Sequence, residues 1–270
     1  MATAEALHGA VDALGRGALD EAATFCQRLL ADPQPSANAW HVAGVVALQR
    51  GELEAAAYRF AQAIEQRPDA ADLHANAALV EMRRNRKGRA KAAFKRALKL
   101  EPTNLAANLG LGAMLQTEGA LHQALERFSL AVKHHPRAPE AWCNLGGVMT
   151  LRGELGAAVD AYRVSISVAP TFTGGHLGLI SALSSIGNEA WCRVAVLEWQ
   201  KACPGDAMAA HLATSLSTTE PPPPRCPPEF VTRYFDAFAA NYDAVLAHLK
   251  TQVSATLERL WRTHLGPVTS

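Results

Sequence analysis

The sequence predicts an all-α solenoid, a stack of antiparallel helix pairs, because three unrelated residue series recur along it with one period. Pro68, Pro102, Pro136, Pro170 and Pro204 are each 34 residues apart. Gly17, Gly51, Asn85, Gly119, Gly153 and Gly187 keep the same step, as do Ala22, Ala56, Ala90, Ala124, Ala158 and Cys192. A shared period of this length marks one supersecondary unit copied along the chain.

Each element of the copy has a physical reason. Helix A comes first, with apolar residues at helical spacing such as Trp40, Ala43, Gly44 and Ala47. The Gly/Asn column follows. These residue types accept a left-handed backbone at low cost, so the column marks a tight turn. Helix B then carries Ala56, Phe60 and Ala63 on one face. Proline closes the copy, because it lacks an amide proton and stops the helix. Small residues at Gly44, Ala78, Gly112 and Gly146 let helix A approach helix B, and Ala56, Ala90, Ala124 and Ala158 do the same from the other side.

The copy resembles the tetratricopeptide repeat, whose pattern is W-x2-L-G-x2-Y, then A-x3-F, then P. Trp142, Leu145, Gly146, Met149, Ala158, Tyr162 and Pro170 carry the best match. The register gives six repeats at about 3–36, 37–70, 71–104, 105–138, 139–172 and 173–206, within an array spanning 1–218. The resemblance implies a right-handed superhelix in which helix A lines the concave surface and helix B the convex one. It also implies a protein-binding scaffold that holds a peptide or helix of another protein in the concave groove, without catalysis.

The terminal copies depart from the pattern. Pro33 and Pro35 straddle the first proline position, where Gln34 stands. In the last copy Ile180 replaces the small residue of helix A, and Trp199 stands where Ala63, Ala97 and Ala131 stand earlier. End faces lack a neighbouring repeat, so atypical end copies suit a capped array. Residues 207–218 are expected to add a capping helix. Beyond them, 219–228 reads as a stiff proline-rich linker. Residues 229–270 form a helical extension, with Phe230, Tyr234, Phe235, Phe238, Tyr242, Val245, Leu246 and Leu249 at amphipathic spacing.

Within that extension, Phe235-Asp236-x-Phe238-Ala239-x-x-Tyr242-Asp243-x-x-Leu246 resembles the helical lead-in of bacterial proteins that join tetratricopeptide repeats to a class I methyltransferase domain. The family continues into a strand and a glycine-rich loop that contacts S-adenosylmethionine. This chain instead runs to Leu265-Gly266-Pro267-Val268-Thr269-Ser270, so the expectation is a chain without the catalytic domain. The alternative function is therefore the regulatory front end of a methyltransferase whose catalytic part lies elsewhere.

Bulk composition narrows the remaining classes. Apolar residues make up 49 % and aromatics only 6 %, which suits closely packed, alanine-rich helices. A formal net charge of +1 gives no global field to recruit nucleic acid or a membrane surface. The start of the chain carries Glu5, Asp12, Asp20 and Glu21 and lacks a basic-then-apolar signal, and no stretch is long enough to span a bilayer. Five cysteines with no Cys-x-x-Cys pair suit reduced thiols in a cytoplasm. No nucleotide-binding, zincin or hydrolase motif appears. No catalytic residue, metal or cofactor is expected.

The candidate binding residues follow from the implied groove. They are His41, Val45, Leu48 and Gln49; Asn76, Leu79, Met82 and Arg83; Leu109 and Gln116; and Asn144, Thr150 and Leu151. Related peptide-binding arrays carry an asparagine ladder at the Asn76 and Asn144 position. Val42, Gly110 and Gly178 interrupt it here, and a hydrogen bond between repeats is the other role open to both asparagines. His74 and His176 share a column with Trp40 and Trp142 and are expected to pack; His134 and His135 are expected to face solvent or cap a helix.

Charge is uneven. Residues 71–104 carry nine basic side chains against Asp72, Glu81 and Glu101, a local balance of +6 within a net +1. The basic set is Arg83, Arg84, Arg86, Lys87, Arg89, Lys91, Lys95, Arg96 and Lys99. It is either a solvated face of helix B or a patch for a partner with an acidic segment.

Overall fold

The computed structural model describes residues 2–215, and these form thirteen helices. The fold class is the all-α solenoid of antiparallel helix pairs expected from the sequence. The expected linker and helical extension, 219–270, lie outside the described residues.

The chain divides into two compact units, Met1–Leu111 and Gly112–Ser270. In the first, α1 (Ala2–Gly15) pairs with α2 (Leu19–Leu30), α3 (Ala37–Gln49) with α4 (Leu53–Gln66), and α5 (Ala71–Arg83) with α6 (Lys87–Leu100). α7 (Leu105–Thr117) contributes its start to this unit and its end to the other. The second unit continues with α8 (Leu121–His134), the pair α9 (Pro139–Leu151) and α10 (Leu155–Val168), the pair α11 (Thr173–Ile186) and α12 (Glu189–Ala202), and α13 (Ala207–Ser215).

The turn column adopts the left-handed backbone that its residue types favour. Gly17, Gly51, Gly119, Gly153 and Gly187 have φ between 72° and 80°, and Asn85 has φ 56°. At Gly51 the amide donates to Leu48 O at 3.2 Å and the next amide, Glu52, to Ala47 O at 2.8 Å. This paired closure satisfies the orphan carbonyls of helix A. The same two bonds recur at Asn85–Arg86, Gly119–Ala120, Gly153–Glu154 and Gly187–Asn188.

Proline acts at the other end through the residue before it. Arg67, Glu101, His135, Ala169 and Cys203 cap their helices with φ from −128° to −140° and ψ from 63° to 96°. The following proline ring clashes with a helical conformation at these residues, and helix B ends there.

Packing repeats with the same step. Phe60, Phe94 and Phe128 are fully buried and Tyr162 nearly so. A Cβ on Gly44, Gly112 or Gly146 would lie 2.8, 2.6 or 2.9 Å from the ring of Phe60, Phe128 or Tyr162. Each buried ring contributes on the order of 2–3 kcal/mol of apolar transfer energy. That contribution requires a missing side chain on the facing helix. At the described C-terminal end, Trp199 is fully buried with Leu177, Met208 and Ala209. Its ring stacks on His176 with centroids 5.0 Å apart and planes 5° from parallel.

Candidate functional site

The candidate residues fall on four A helices: α3, α5, α7 and α9. On α3, Gln49 is exposed, His41 and Val45 are half-buried and Leu48 is buried. On α5, Arg83 is exposed and Asn76, Leu79 and Met82 are half-buried. Leu109, Asn144, Thr150 and Leu151 are half-buried, and Gln116 is buried with its Oε1 unpartnered among the described residues. Leu48 and Gln116 therefore offer a ligand little surface, and Gln49 and Arg83 the most.

The structure joins α3 to α5 by polar contacts. Asn76 Nδ2 donates to His41 Nε2 at 2.8 Å, across a sequence separation of 35 residues. The His41 ring is then neutral and carries its proton on Nδ1; burial holds its pKa below the ordinary value. Arg83 donates to Leu48 O at 2.8 Å, again from one A helix to the previous one. Asn76 thus spends an amide proton on the neighbouring repeat. Thr150 Oγ1 donates to Gly146 O at 2.9 Å within α9.

Two of the three gaps in the asparagine ladder, Gly110 and Gly178, have a steric cause. A Cβ at Gly110 would lie 2.1 Å from the Phe94 ring, and one at Gly178 would lie 2.1 Å from the Tyr162 ring. At these two positions the aromatic ring of the preceding B helix leans into the column that asparagine occupies elsewhere.

A second column carries a bond that spacing alone did not suggest. His74, Asn108, Trp142 and His176 each place a ring or amide nitrogen 2.8–2.9 Å from the carbonyl of the proline six residues earlier. The acceptors are Pro68, Pro102, Pro136 and Pro170. These carbonyls lie in the turn just past helix B, where no helical amide reaches them, and the next A helix supplies a donor. The signal in the sequence was chemical: all four residues carry an N–H, whatever their shape. The expected packing role of His74 and His176 is thus joined by a hydrogen bond.

The basic repeat is partly neutralised. Arg84 meets Glu54 at 3.5 Å and Glu81 at 3.3 Å, and Arg86 meets Glu81 at 3.7 Å. Arg83 is occupied by the Leu48 carbonyl. Lys87, Arg89, Lys95, Arg96 and Lys99 on α6 are all exposed. These five form an exposed positive face on α6, whereas Arg84 and Arg86 share carboxylates and Arg83 bonds a carbonyl.

Nucleophiles and metal ligands are not gathered among the described residues. No group of three or more His, Cys, Asp or Glu side chains converges there, and no helix is long and apolar enough to cross a membrane. His134 is exposed and His135 half-buried. Burial pushes the Cys26 thiol up to about 11 and Cys143 to about 12, which keeps both protonated and weakly nucleophilic near neutral pH.

A tetratricopeptide-repeat family model matches residues 41–104, 75–121 and 115–170. Residues 41–170 are tetratricopeptide repeats. Solved structures agree at the level of the fold. The chain is similar to Pseudomonas aeruginosa pilF, with 20 % identity and a TM-score of 0.59 over 82 % of this chain and 94 % of that one. It is also similar to PilW, a type IV pilus biogenesis factor, with 22 % identity and a TM-score of 0.63 over 76 % and 94 %. A third, the Cut9–Hcn1 hetero-tetramer of the APC/C, gives 13 % identity and a TM-score of 0.65 over 93 % of this chain and 48 % of that one. No curated protein sequence matches the chain. Tetratricopeptide repeats are protein-interaction modules, and residues 41–170 are of that kind.

Proposed function

We propose that the chain holds a peptide or helix of a partner protein against the A-helix face, and that it does so without catalysis. The observation that carries the reading is the mixed surface of α3 and α5: half-buried His41, Val45, Asn76, Leu79 and Met82 beside exposed Gln49 and Arg83. Partly exposed apolar groups beside fixed polar ones suit an extended or helical peptide, which needs both contact area and register. Leu109 on α7 and Asn144, Thr150 and Leu151 on α9 are half-buried in the same way.

The partner we favour carries an acidic segment, supported by the five exposed cations of α6. A reducing compartment, the cytoplasm, is the location we favour, on the number and spacing of the cysteines. The methyltransferase front end rests on the Phe235–Leu246 resemblance, which lies outside the described residues.

Site-specific photo-cross-linking tests the proposal. A benzoyl-phenylalanine at Gln49 should capture the partner, and one at Gln123, on the exposed side of α8, should not. Capture from Gln123 alone would place the binding face on the B helices and overturn the reading.

A further inference from the structure

Because repeats are copies, each one is a control for the others, and the last described pair fails the comparison on its solvent side. Six large apolar residues are exposed among the described residues, and four belong to this pair: Ile186, Trp191, Val194 and Leu197, each 41–58 % exposed. At earlier periods the Ile186 column reads Arg16, Arg50, Arg84, Glu118 and Arg152. The Leu197 column reads Gln27, Ala61, Lys95, Ser129 and Arg163. In these two columns charged, polar or small side chains have become large and apolar in this copy, while the Val194 column already holds exposed Tyr58 in an earlier one. The opposite face of α12 is occupied by Cys192, Ala195, Val196 and Trp199, all buried. α12 thus carries three large apolar side chains on its solvent side as well, where exposed Glu198 and Lys201 fall within the same arc.

We propose that the chain's own segment 229–265 docks on this stripe. Trp191, Val194 and Leu197 step by three along α12 and sweep an arc of about 120°. The segment offers Phe230, Tyr234, Phe235, Phe238, Tyr242 and Leu246 at helical spacing, a matching apolar row. Asp236 and Asp243, seven residues apart beside that row, suit the cations at the stripe: Arg163, 5.6 Å from the Trp191 ring centroid, and exposed Arg193. Reach is sufficient. Fully extended, the residues between Ser215 and Phe230 could reach about 45 Å at ~3.1 Å per residue, roughly twice the length of α12. Tethering favours this occupant over a second copy or a foreign protein, because a linked segment acts at an effective concentration of about millimolar.

Carbene footprinting of the full 270-residue chain, read by mass spectrometry, tests the docking. Trp191 and Leu197 should label several-fold more slowly in the wild type than in a Phe235→Asp, Phe238→Asp double variant, at every protein concentration. Equal labelling in both chains overturns the proposal, as does protection that survives the double variant. Protection that rises with concentration alongside a dimer in sedimentation assigns the stripe to a second copy and also overturns it. A reciprocal variant guards against misfolding of the first. Val194→Glu with Leu197→Glu alters exposed positions and should leave the helical circular-dichroism signal intact while speeding tryptic cleavage at Arg233, within the docked segment, several-fold. Unchanged cleavage there counts against docking.

Discussion

At Gly178 a single methyl group meets the Tyr162 ring, and at Gly156 it meets open space. Gly178→Ala should therefore destabilise the protein by about 1–3 kcal/mol through overpacking. Gly156→Ala should be neutral or gain up to about 1 kcal/mol, because alanine loses less backbone entropy in a helix. Urea denaturation midpoints compare the two directly; similar shifts of the same sign would contradict the packing described. His176 makes a second test at this scale. Burial beneath Trp199 lowers its pKa from the ordinary 6.5, and burial lowers His41 and His211 too. A base whose folded pKa is depressed binds more protons when unfolded. Its contribution is thus full above the ordinary value and is lost as pH falls below it. Stability should drop between pH 6.5 and the lower folded values, by at most about 1.4 kcal/mol per pH unit for each fully shifted ring. His176→Phe keeps a flat ring against Trp199 and removes the titration, so its urea midpoint should vary less with pH over this range than the wild-type midpoint does.

Among the elements, the A–B turn is the part most constrained by backbone chemistry. Gly119 and Gly153 have φ of 77° and 79°, and a Cβ at either position would meet no atom within 4 Å. Strain there comes from the backbone and not from crowding. Gly153→Val should cost on the order of 1 kcal/mol or more, since a β-branched residue resists the left-handed region. Exposed Gln123→Ala, on the surface of α8, should change stability by less than about 0.5 kcal/mol. Helix B depends instead on small residues. Ala124 is fully buried on α8, and Ala124→Phe should cost about 1–3 kcal/mol. Thermal or urea unfolding of these three variants orders them, and an unchanged midpoint for Ala124→Phe would contradict its buried register.

For the molecule as a binder, charge decides which test is informative. Reversing Arg83, Arg84 and Arg86 would break contacts to Leu48, Glu54 and Glu81 and confuse folding with binding. Lys95→Glu with Lys99→Glu touches exposed side chains on α6 instead. If an acidic segment binds there, this variant should weaken the complex, and added salt should weaken the wild type more than the variant. Equal affinity at low and high salt for both would assign α6 to solvent. The non-catalytic proposal has its own test. Calorimetry of the 270-residue chain with S-adenosylmethionine should show no saturable heat; stoichiometric micromolar binding would favour the methyltransferase reading.

The period, the turns and the small-residue columns were legible in the sequence because a repeat puts every copy of a position into the same surroundings. Local chemistry then suffices: glycine or asparagine where φ is positive, proline where helix B stops, alanine or glycine where two helices touch. The contacts of the candidate face were not legible in this way. Asn76 finds His41, and Arg83 finds the Leu48 carbonyl, because α5 stacks on α3 in one register, and both partners are 35 residues away in the chain. Gly110 and Gly178 read as gaps in a ladder, whereas the rings of Phe94 and Tyr162 need their space. Nothing in the sequence marked Trp191, Val194 and Leu197 as exposed, since hydrophobic periodicity does not say which of two faces meets the neighbour and which meets water. Which carbonyl lies beside a donor, and which face remains exposed, depend on how helices stack, and only the tertiary structure decides that.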